Sequence, residues 1–282
     1  YKRQLSEGDI IIDGGNSHYK ETEKVNSQLN KKNIHFLGMG ISGGDKGALN
    51  GPSLMLGGDK EAYKFVAKDL ENVSAKRVGG KPCCAYLGNL GVGHFVKMIH
   101  NGIEYAEMQL IAEIFSLLME TLEGKINSIQ KELESWQKSS SESYLLGITS
   151  EILKYEENNE FFINKITDSA STKGTGAWAS ESGISMGFPN SLMVSALHAR
   201  FTSNMKTKRE NLSKIITLKK GNATISVKKL KIIYDICRLI NHHQGFEMIK
   251  NSNQAHGWNI KPDLIANLWS CLLYTSDAAD EV

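Results

Sequence analysis

The sequence is poor in several residue types, and each scarcity limits what the protein can be. It has only 4 cysteines and 4 prolines among 282 residues. The cysteines show none of the spacings of zinc or iron–sulfur sites, so we predict no metal site. Few cysteines are also typical of a reducing compartment. No apolar run approaches the roughly 18 residues that a membrane-spanning helix needs, so we expect no membrane partner.

An excess of charge of one sign is also missing. The 33 Lys and Arg side chains nearly balance the 31 Asp and Glu side chains, which leaves a formal net charge of +2. So small a charge gives no general attraction to nucleic acid, and we expect no nucleic-acid partner. Hydrophobic residues make up 40% of the chain and charged residues 23%, as in soluble globular proteins.

The first part of the chain alternates strand-like and helix-like segments. Short apolar runs stop at turn-forming or glycine-rich stretches, and polar helix-like patterns lie between some of them. The predicted strands are 9–13, 34–39, 53–55, 76–78 and 85–87, and the predicted helices among them are 20–31 and 61–70. This alternation predicts an α/β layer with a largely parallel sheet. Ligands bind such sheets at the carboxyl ends of the strands.

From about residue 91 onward the strand signals almost disappear. The predicted helices of this part are 93–122, 126–139, 144–158, 161–169, 177–186, 191–204, 227–254 and 263–268. We therefore predict an α/β part over residues 1–90, followed by a large all-helical part over residues 91–269.

One segment, HFVKMIHNGIEY, has an unusual helical pattern. Five hydrogen-bonding side chains recur at i, i+3, i+4, i+7 and i+8: Lys97, His100, Asn101, Glu104 and Tyr105. That spacing normally forms the buried apolar stripe of a helix. Because the intervening residues are mostly apolar, we expect a buried helix whose polar face turns into a cleft. A Lys and a Glu on such a face are candidates for a general base and a general acid, and a solvated patch of charges is the alternative.

Two turns at strand ends contain glycine. The turn GGNS places the Asn16 amide at a strand end, where it suits a carboxamide or a sugar hydroxyl. The turn formed by Ser42, Gly43 and Gly44 offers backbone N–H groups that suit an anionic oxygen. Taken alone, each stretch is more often a plain turn between a strand and a helix, which is the alternative here.

Two cations lie in unusual surroundings. Lys173 begins the loop KGTG. This loop is not a Walker sequence, but the ammonium group of Lys173 is a point charge suited to a phosphate. Arg200 lies in the apolar stretch ALHARF, and a partly buried arginine needs an anion, either a protein carboxylate or a ligand phosphate. With the base–acid pair, these residues suggest a phosphorylated, hydroxyl-rich substrate.

Six segments together resemble the decarboxylating 6-phosphogluconate dehydrogenases. In chain order they are GDIIIDGGNSHY, GISGGDKGALNGPSLMLGG, PCCAYLGNLGVGHFVKMIHNGIEYAEMQLIAE, ILKY, KITDSASTKGTGAW and ALHARF. The resemblance runs from about residue 1 to Trp269. It implies NADP-dependent oxidative decarboxylation of 6-phosphogluconate to ribulose 5-phosphate and CO₂, in the pentose phosphate pathway. It also implies a cytoplasmic homodimer, although a targeting peptide upstream of Tyr1 stays open.

The resemblance implies a role for each matching residue. Lys97 matches the base that takes the proton of the C3 hydroxyl, and Glu104 matches the acid that protonates C1 of the enediol. The matching substrate-binding residues are Asn16, Ser42, Gly43, Gly44, His100 and Asn101, with Tyr105, Lys173 and Arg200 at the phosphate. Asn16 and Asp45 match cofactor-binding positions, and many family members carry Glu where this chain has Asp45.

Departures from the family pattern lead to alternatives. Residues 1–90 would be the C-terminal part of a dinucleotide-binding domain with a partial Rossmann-type sheet, without its glycine-rich fingerprint. Residues 91–269 would be an incomplete substrate and dimerisation domain, and residues 270–282 do not resemble the family. One alternative is therefore an inactive fragment that keeps a phosphosugar pocket. The other, a 3-hydroxyacid dehydrogenase, is disfavoured by Lys173 and Arg200.

Overall fold

The computed structural model describes residues 4–77, 79–216 and 225–270. They form two compact units. The first contains the described residues of 1–102, 174–190 and 244–280, and the second contains those of 103–173 and 191–243. Within these described stretches, no helix combines the length and the apolar character needed to cross a membrane.

The first unit contains a four-stranded sheet. Its strands, in spatial order, are β1 (Ile10–Asp13), β2 (His35–Ser42), β3 (Ser53–Gly58) and β4 (Cys84–Gly88). The pairs β1/β2 and β3/β4 are parallel, but β2 and β3 are antiparallel. The predicted α/β class is confirmed, and two of the three strand pairs are parallel as predicted, whereas the pair β2/β3 is antiparallel. The reason is the short link between β2 and β3, since a parallel crossover takes about a dozen residues or more.

Eleven α-helices occur in the described residues. They are α1 (Tyr19–Asn30), α2 (Gly44–Asn50), α3 (Lys60–Val73), α4 (Val92–Thr121), α5 (Ile126–Gln137), α6 (Tyr144–Ile152), α7 (Thr175–Ser185), α8 (Ser191–Asn204), α9 (Lys206–Ile215), α10 (Val227–His256) and α11 (Pro262–Trp269). The predicted large helical part is thus confirmed. The structure agrees with the prediction over α8, and α9 was missed because its residues are polar and show no apolar stripe.

Glycines let the start of α4 approach the sheet closely. A Cβ atom added to Gly93 would lie 2.3 Å from the carbonyl oxygen of Met55 and 2.6 Å from that of Gly38. A Cβ atom on Gly40 would lie 2.5 Å from the Cβ atom of Lys97. Because no larger residue fits at these positions, the helix packs directly on β2 and β3, and Lys97 lies against β2.

The second unit buries a polar network between α4 and α10. The carboxylate of Glu107 lies 3.3 Å from Nε of Arg238 and accepts a hydrogen bond from the hydroxyl of Tyr234. Burial, and then the negative charge of Glu107, raises the pKa of Tyr234 above its usual range. Asn241 donates to the carbonyl oxygen of Ile103 at 2.8 Å. The Tyr234 hydroxyl and the amide nitrogen of Asn241, which would be costly to bury alone, thus have hydrogen-bond partners.

The segment after α6 differs from the prediction. Instead of continuous helix over 144–158, α6 ends at Ile152, and β5 (Glu156–Glu157) pairs with β6 (Glu160–Phe161). The turn residues Asn158 and Asn159 have φ values of 54° and 63°, as a two-residue hairpin turn requires. Only a 3₁₀ turn, Phe162–Lys165, forms within the predicted helix 161–169.

Two further predictions fall partly outside the residues that the structure describes. The predicted strand 76–78 is wrong as far as it is described, because Lys76 makes only an isolated bridge with Pro82. Val78 lies outside the described residues. Of the segment 270–282, predicted not to resemble the family, residues 271–282 also lie outside them.

Candidate active site

Helix α4 carries Lys97 into the interior of the first unit. All residues from Gly91 to Glu107 are buried, and Lys97 is only 2% exposed. Its Nζ atom donates a hydrogen bond to Oγ of Ser42 at 3.0 Å. Since Ser42 is the last residue of β2, the structure brings the predicted base together with the predicted substrate turn.

His100 and Asn101 follow on the same helix and are also buried. Nδ2 of Asn101 donates to Oγ1 of Thr175 at 3.2 Å, and Nδ1 of His100 lies 3.5 Å from Oδ1 of Asn101. The ring of Trp269 meets the His100 ring edge-on, with centroids 5.5 Å apart. Sequence reasoning missed Thr175, although it belongs to the KGTG motif, and missed Trp269, because nothing local links it to His100.

The turn after β1 contains two hydrogen bonds to Asp13 and exposes Asn16. The carboxylate of Asp13 accepts hydrogen bonds from the backbone N–H of Gly15 at 2.9 Å and from the Ser17 hydroxyl at 2.7 Å. A Cβ atom on Gly14 would lie 2.8 Å from Cδ1 of Ile41, so the backbone comes close to β2. The turn therefore presents the Asn16 amide at the carboxyl end of β1.

The glycines after Ser42 adopt conformations that favour glycine. Gly43 has φ 146° and Gly44 has φ 51°. A Cβ atom on Gly43 would lie 2.7 Å from the Cα atom of Gly47. The chain can therefore turn sharply from β2 into α2, and the exposed Asp45 lies in the first turn of that short helix.

In the second unit, Arg200 is buried among neutral groups. It is 6% exposed, and its guanidinium lies 3.6 Å from the centre of the Tyr105 ring. It donates hydrogen bonds to the carbonyl oxygen of Ser171 at 2.7 Å and to the sulfur of Met108 at 3.3 Å. Within residues 4–77, 79–216 and 225–270, no carboxylate lies within ion-pair distance of Arg200. The protein carboxylate that was one of the two expected partners of Arg200 is therefore absent from the described residues.

The remaining predicted residues of the second unit are Glu104 and Lys173. Glu104 is buried on α4, seven residues after Lys97, and Lys173 is exposed at the start of the loop that leads into α7. Next to Arg200, the hydroxyl of Tyr105 lies 3.3 Å from Oγ1 of Thr172. Thr172 is a third residue that sequence reasoning missed. The described residues hold no group of three or more His, Cys, Asp or Glu arranged for a metal ion.

Family models cover most of the chain. The model of the NAD binding domain of 6-phosphogluconate dehydrogenase matches residues 2–88, and that of the C-terminal domain matches residues 93–274. The chain belongs to the 6-phosphogluconate dehydrogenase family. This confirms the family predicted from the motifs.

Two similar proteins are named 6-phosphogluconate dehydrogenase, decarboxylating. The one from Lactococcus lactis subsp. lactis (strain IL1403) is 41% identical over 272 residues. The one from Staphylococcus aureus (strain N315) is 40% identical over 270 residues. Each alignment covers 94% of this chain and 58% of the relative, so the chain spans little more than half the length of these curated relatives.

Solved structures agree with the family. The 6-phosphogluconate dehydrogenase of Plasmodium falciparum, solved in apo form, with its cofactor NADP⁺ and with its substrate 6-phosphogluconate, is 34% identical. It superposes with a TM-score of 0.89 over 95% of this chain and 59% of that chain. A Mycobacterium tuberculosis 3-hydroxyisobutyrate dehydrogenase is 19% identical, with a TM-score of 0.52 over 71% of this chain and 65% of that one. The second likeness shows the fold alone.

Proposed function

We propose that this chain serves the NADP-dependent oxidative decarboxylation of 6-phosphogluconate to ribulose 5-phosphate and CO₂, a step of the pentose phosphate pathway. The observation that carries the proposal is the buried Lys97, hydrogen-bonded to Ser42 on a helix that also carries His100, Asn101 and Glu104. Family membership supports it, as does the Plasmodium relative, which was solved with NADP⁺ and with 6-phosphogluconate.

Lys97 is the proposed base and Glu104 the proposed acid. Lys97 takes the proton of the C3 hydroxyl while hydride leaves C3. After CO₂ has left, Glu104 gives a proton to C1 of the enediol. Both side chains are less than 10% exposed.

The other residues hold the substrate at two ends. We assign the hydroxyl and carboxylate end to Asn16, Ser42, Gly43, Gly44, His100 and Asn101. We assign the phosphate to Tyr105, Lys173 and Arg200. The buried Arg200 supports this choice, because its partners in the described chain are neutral and a guanidinium gains most from a bidentate anion.

NADP, when bound, supplies the hydride acceptor. Asn16 and Asp45 would hold its nicotinamide end. The turn after β1 suits a carboxamide ligand, because the Asn16 side chain is exposed and its amide both donates and accepts hydrogen bonds. In this proposal residues 1–90 belong to the dinucleotide-binding domain and residues 91–269 to the substrate and dimerisation domain.

The proposal extends to a cytoplasmic homodimer. The dimer is supported by a row of exposed apolar side chains on one face of α10. The row consists of Ile232, Ile236, Leu239 and Ile240, each at least 44% exposed. Contiguous apolar surface of this kind is typical of a protein–protein contact.

The function is tested by calorimetry with the 282-residue chain. We expect saturable binding of 6-phosphogluconate and much weaker binding of unphosphorylated gluconate. Absence of 6-phosphogluconate binding would contradict the proposal. Turnover is tested in a chimaera in which residues 1–269 replace the matching segment of the Lactococcus relative, by following NADPH absorbance. Binding without NADPH formation there would favour the alternative of a catalytically silent phosphosugar-binding chain.

A further inference from the structure

His94 is a buried titratable residue to which the proposed reaction assigns no role. It lies in the first turn of α4 and is 2% exposed. Its Nε2 atom is 3.1 Å from the carbonyl oxygen of Asp13, and its Nδ1 atom is 2.7 Å from Oγ1 of Thr22. Both ring nitrogens therefore have partners, and the partners come from β1 and α1.

The chemistry of these partners determines where the imidazole proton lies. A carbonyl oxygen only accepts hydrogen bonds, so Nε2 of His94 must carry the hydrogen. Burial lowers the pKa of His94, and the opposing effect of Asp13 is smaller. In the neutral ring Nδ1 is then an acceptor, and the hydroxyl of Thr22 donates to it. The 3.3 Å contact from this hydroxyl to the carbonyl oxygen of His18 is the weaker alternative.

The imidazole connects two parts of the proposed site. Asp13 is the last residue of β1 and directly precedes the turn that carries Asn16. Lys97 follows His94 by three residues on α4. A rigid ring with two hydrogen bonds therefore joins the backbone of the Asn16 turn to the helical turn that carries Lys97.

The surroundings leave the ring little freedom to move. A Cβ atom on Gly38 would lie 3.1 Å from Nδ1 of His94 and 2.7 Å from Cγ2 of Thr22. The backbone of β2 thus packs directly on the hydrogen-bonded pair. Because protein interiors are close-packed, a change in this pair must shift one of the elements that it joins.

We propose that His94, held by Thr22, is a positioning residue that fixes the Asn16 turn relative to Lys97. The inference rests on the proposed function, in which both residues contact the substrate. A displacement of about 1 Å between reacting groups can cost on the order of a hundredfold in rate. His94 would act through this alignment and not by touching the substrate itself.

The test compares Thr22→Val with Thr22→Ser in the 282-residue chain. Valine has nearly the shape of threonine but cannot donate to Nδ1 of His94, whereas serine keeps the hydroxyl. Hydrogen exchange of the Gly15 and Asn16 amides is measured without ligand, and imidazole ¹⁵N NMR reports the tautomer of His94. For Thr22→Val we expect about tenfold faster exchange at the turn, while amides of β3 keep their exchange rates.

Substrate binding gives the second readout. We expect Thr22→Val to weaken 6-phosphogluconate binding about tenfold, because the substrate-binding groups lose their alignment. This corresponds to a loss of roughly 1.4 kcal/mol in binding free energy. Thr22→Ser should bind nearly as tightly as the wild type. In His94→Gln the amide nitrogen takes the place of Nε2 and keeps the donor for the Asp13 carbonyl. Its amide oxygen is then not at the position of Nδ1, so the bond from Thr22 is lost and the variant should behave like Thr22→Val.

Three results would overturn the inference. The first is an exchange rate at the Asn16 turn that does not change in Thr22→Val. The second is a Thr22→Ser variant whose exchange and substrate binding change as much as those of Thr22→Val. The third is a wild-type His94 that carries its proton on Nδ1. If Thr22→Val instead raises exchange throughout the unit, its effect is on stability, and the positioning role is rejected. A wild-type chain that does not bind 6-phosphogluconate would contradict the proposed function alone, because the exchange and NMR measurements need no ligand.

Discussion

Arg200 illustrates how a single buried charge restricts the choice of ligand. Its guanidinium stacks on Tyr105 and donates to the carbonyl oxygen of Ser171. These contacts orient the group without neutralising it. A buried charge lacking a counter-charge is costly, so an anionic ligand would bind there with a large gain. The phosphate of a sugar acid carries the negative charge that the proposed role of Arg200 requires.

We expect Arg200→Ala to weaken 6-phosphogluconate binding by roughly ten- to a hundredfold, since a charge-assisted contact contributes about 1.5–3 kcal/mol. Binding of gluconate should change little. Arg209→Ala is the matched control, because Arg209 pairs with the exposed Asp168. Calorimetry on the three proteins measures both ligands. Equal losses for both ligands in Arg200→Ala would show that the residue is structural.

Lys97 and Glu104 are expected to act in different steps. In the chimaera, Lys97→Met should abolish NADPH formation but still allow 6-phosphogluconate to bind. Glu104→Gln should lower turnover by about 10²–10⁴, the usual contribution of a general acid. The exposed residues Lys68 and Glu113 give the controls Lys68→Met and Glu113→Gln, which should leave turnover unchanged. Near-normal turnover in either site variant would refute its assigned role.

Partial or complete burial of three histidines predicts that stability falls in mild acid. Burial lowers the pKa of His18, His94 and His256 in the folded chain. Below about pH 6.5 the unfolded chain therefore binds protons that the folded chain does not, and the free energy of unfolding falls as the pH falls. The slope is at most about 1.4 kcal/mol per pH unit for each such proton. Urea unfolding measured between about pH 7.5 and 5 checks this.

His94 should contribute most of this dependence, because it is the most buried of the three. His94→Gln should therefore lower stability at neutral pH and flatten its decline in acid. An unfolding free energy that does not change between about pH 7 and 5 in the wild type would contradict the prediction.

At the scale of elements, the contact of α4 with the sheet depends on glycine. Gly93→Ala would bring a methyl group against the backbone of Met55 and Gly38, so the helix or a strand must move. We expect a loss of about 1–3 kcal/mol or more, the usual cost of overpacking. Because Lys97 is on the displaced helix, 6-phosphogluconate binding should weaken as well.

Gly47→Ala is the control for this substitution. A Cβ atom on Gly47 would meet nothing closer than 3.6 Å, and alanine favours a helix over glycine. This variant should be as stable as the wild type or slightly more stable in urea unfolding. A Gly93→Ala protein of unchanged stability would show that α4 can shift without strain.

The hairpin after α6 shows a limit of helical periodicity. Leu145 and Leu146 are buried in α6, as the apolar pattern indicates. The pattern does not reveal the end of the helix, because the following residues remain compatible with one. The pair Asn158 and Asn159 is the overlooked signal, since asparagine tolerates positive φ and favours two-residue hairpin turns.

At the scale of the whole molecule, the apolar row on α10 should govern association. We expect the 282-residue chain to self-associate at micromolar concentration, because the row exposes contiguous apolar surface. The double variant Ile236→Glu with Leu239→Glu should sediment as a smaller species. Lys229→Glu, on the same helix and also exposed, changes charge without removing apolar surface and serves as control. A monomeric wild type in sedimentation would contradict the proposed dimer contact.

The sequence by itself determined the family, the α/β and all-helical composition, and the buried character of α4 with its polar side chains. These properties follow from motifs and from local periodicity, which neighbouring residues fix through backbone geometry and the burial of apolar side chains. The predicted helix 191–204 agrees with α8 for the same reason.

Only the tertiary structure decided which distant groups meet. The antiparallel pairing of β2 and β3, the contact between Asn101 and Thr175, and the bridge formed by His94 each join residues far apart in the chain. Hydrogen-bond partners of this kind depend on how elements pack and not on the local pattern. The sequence therefore supplied the candidate residues, whereas packing determined that His94 holds its neighbours and that Arg200 lies among neutral groups.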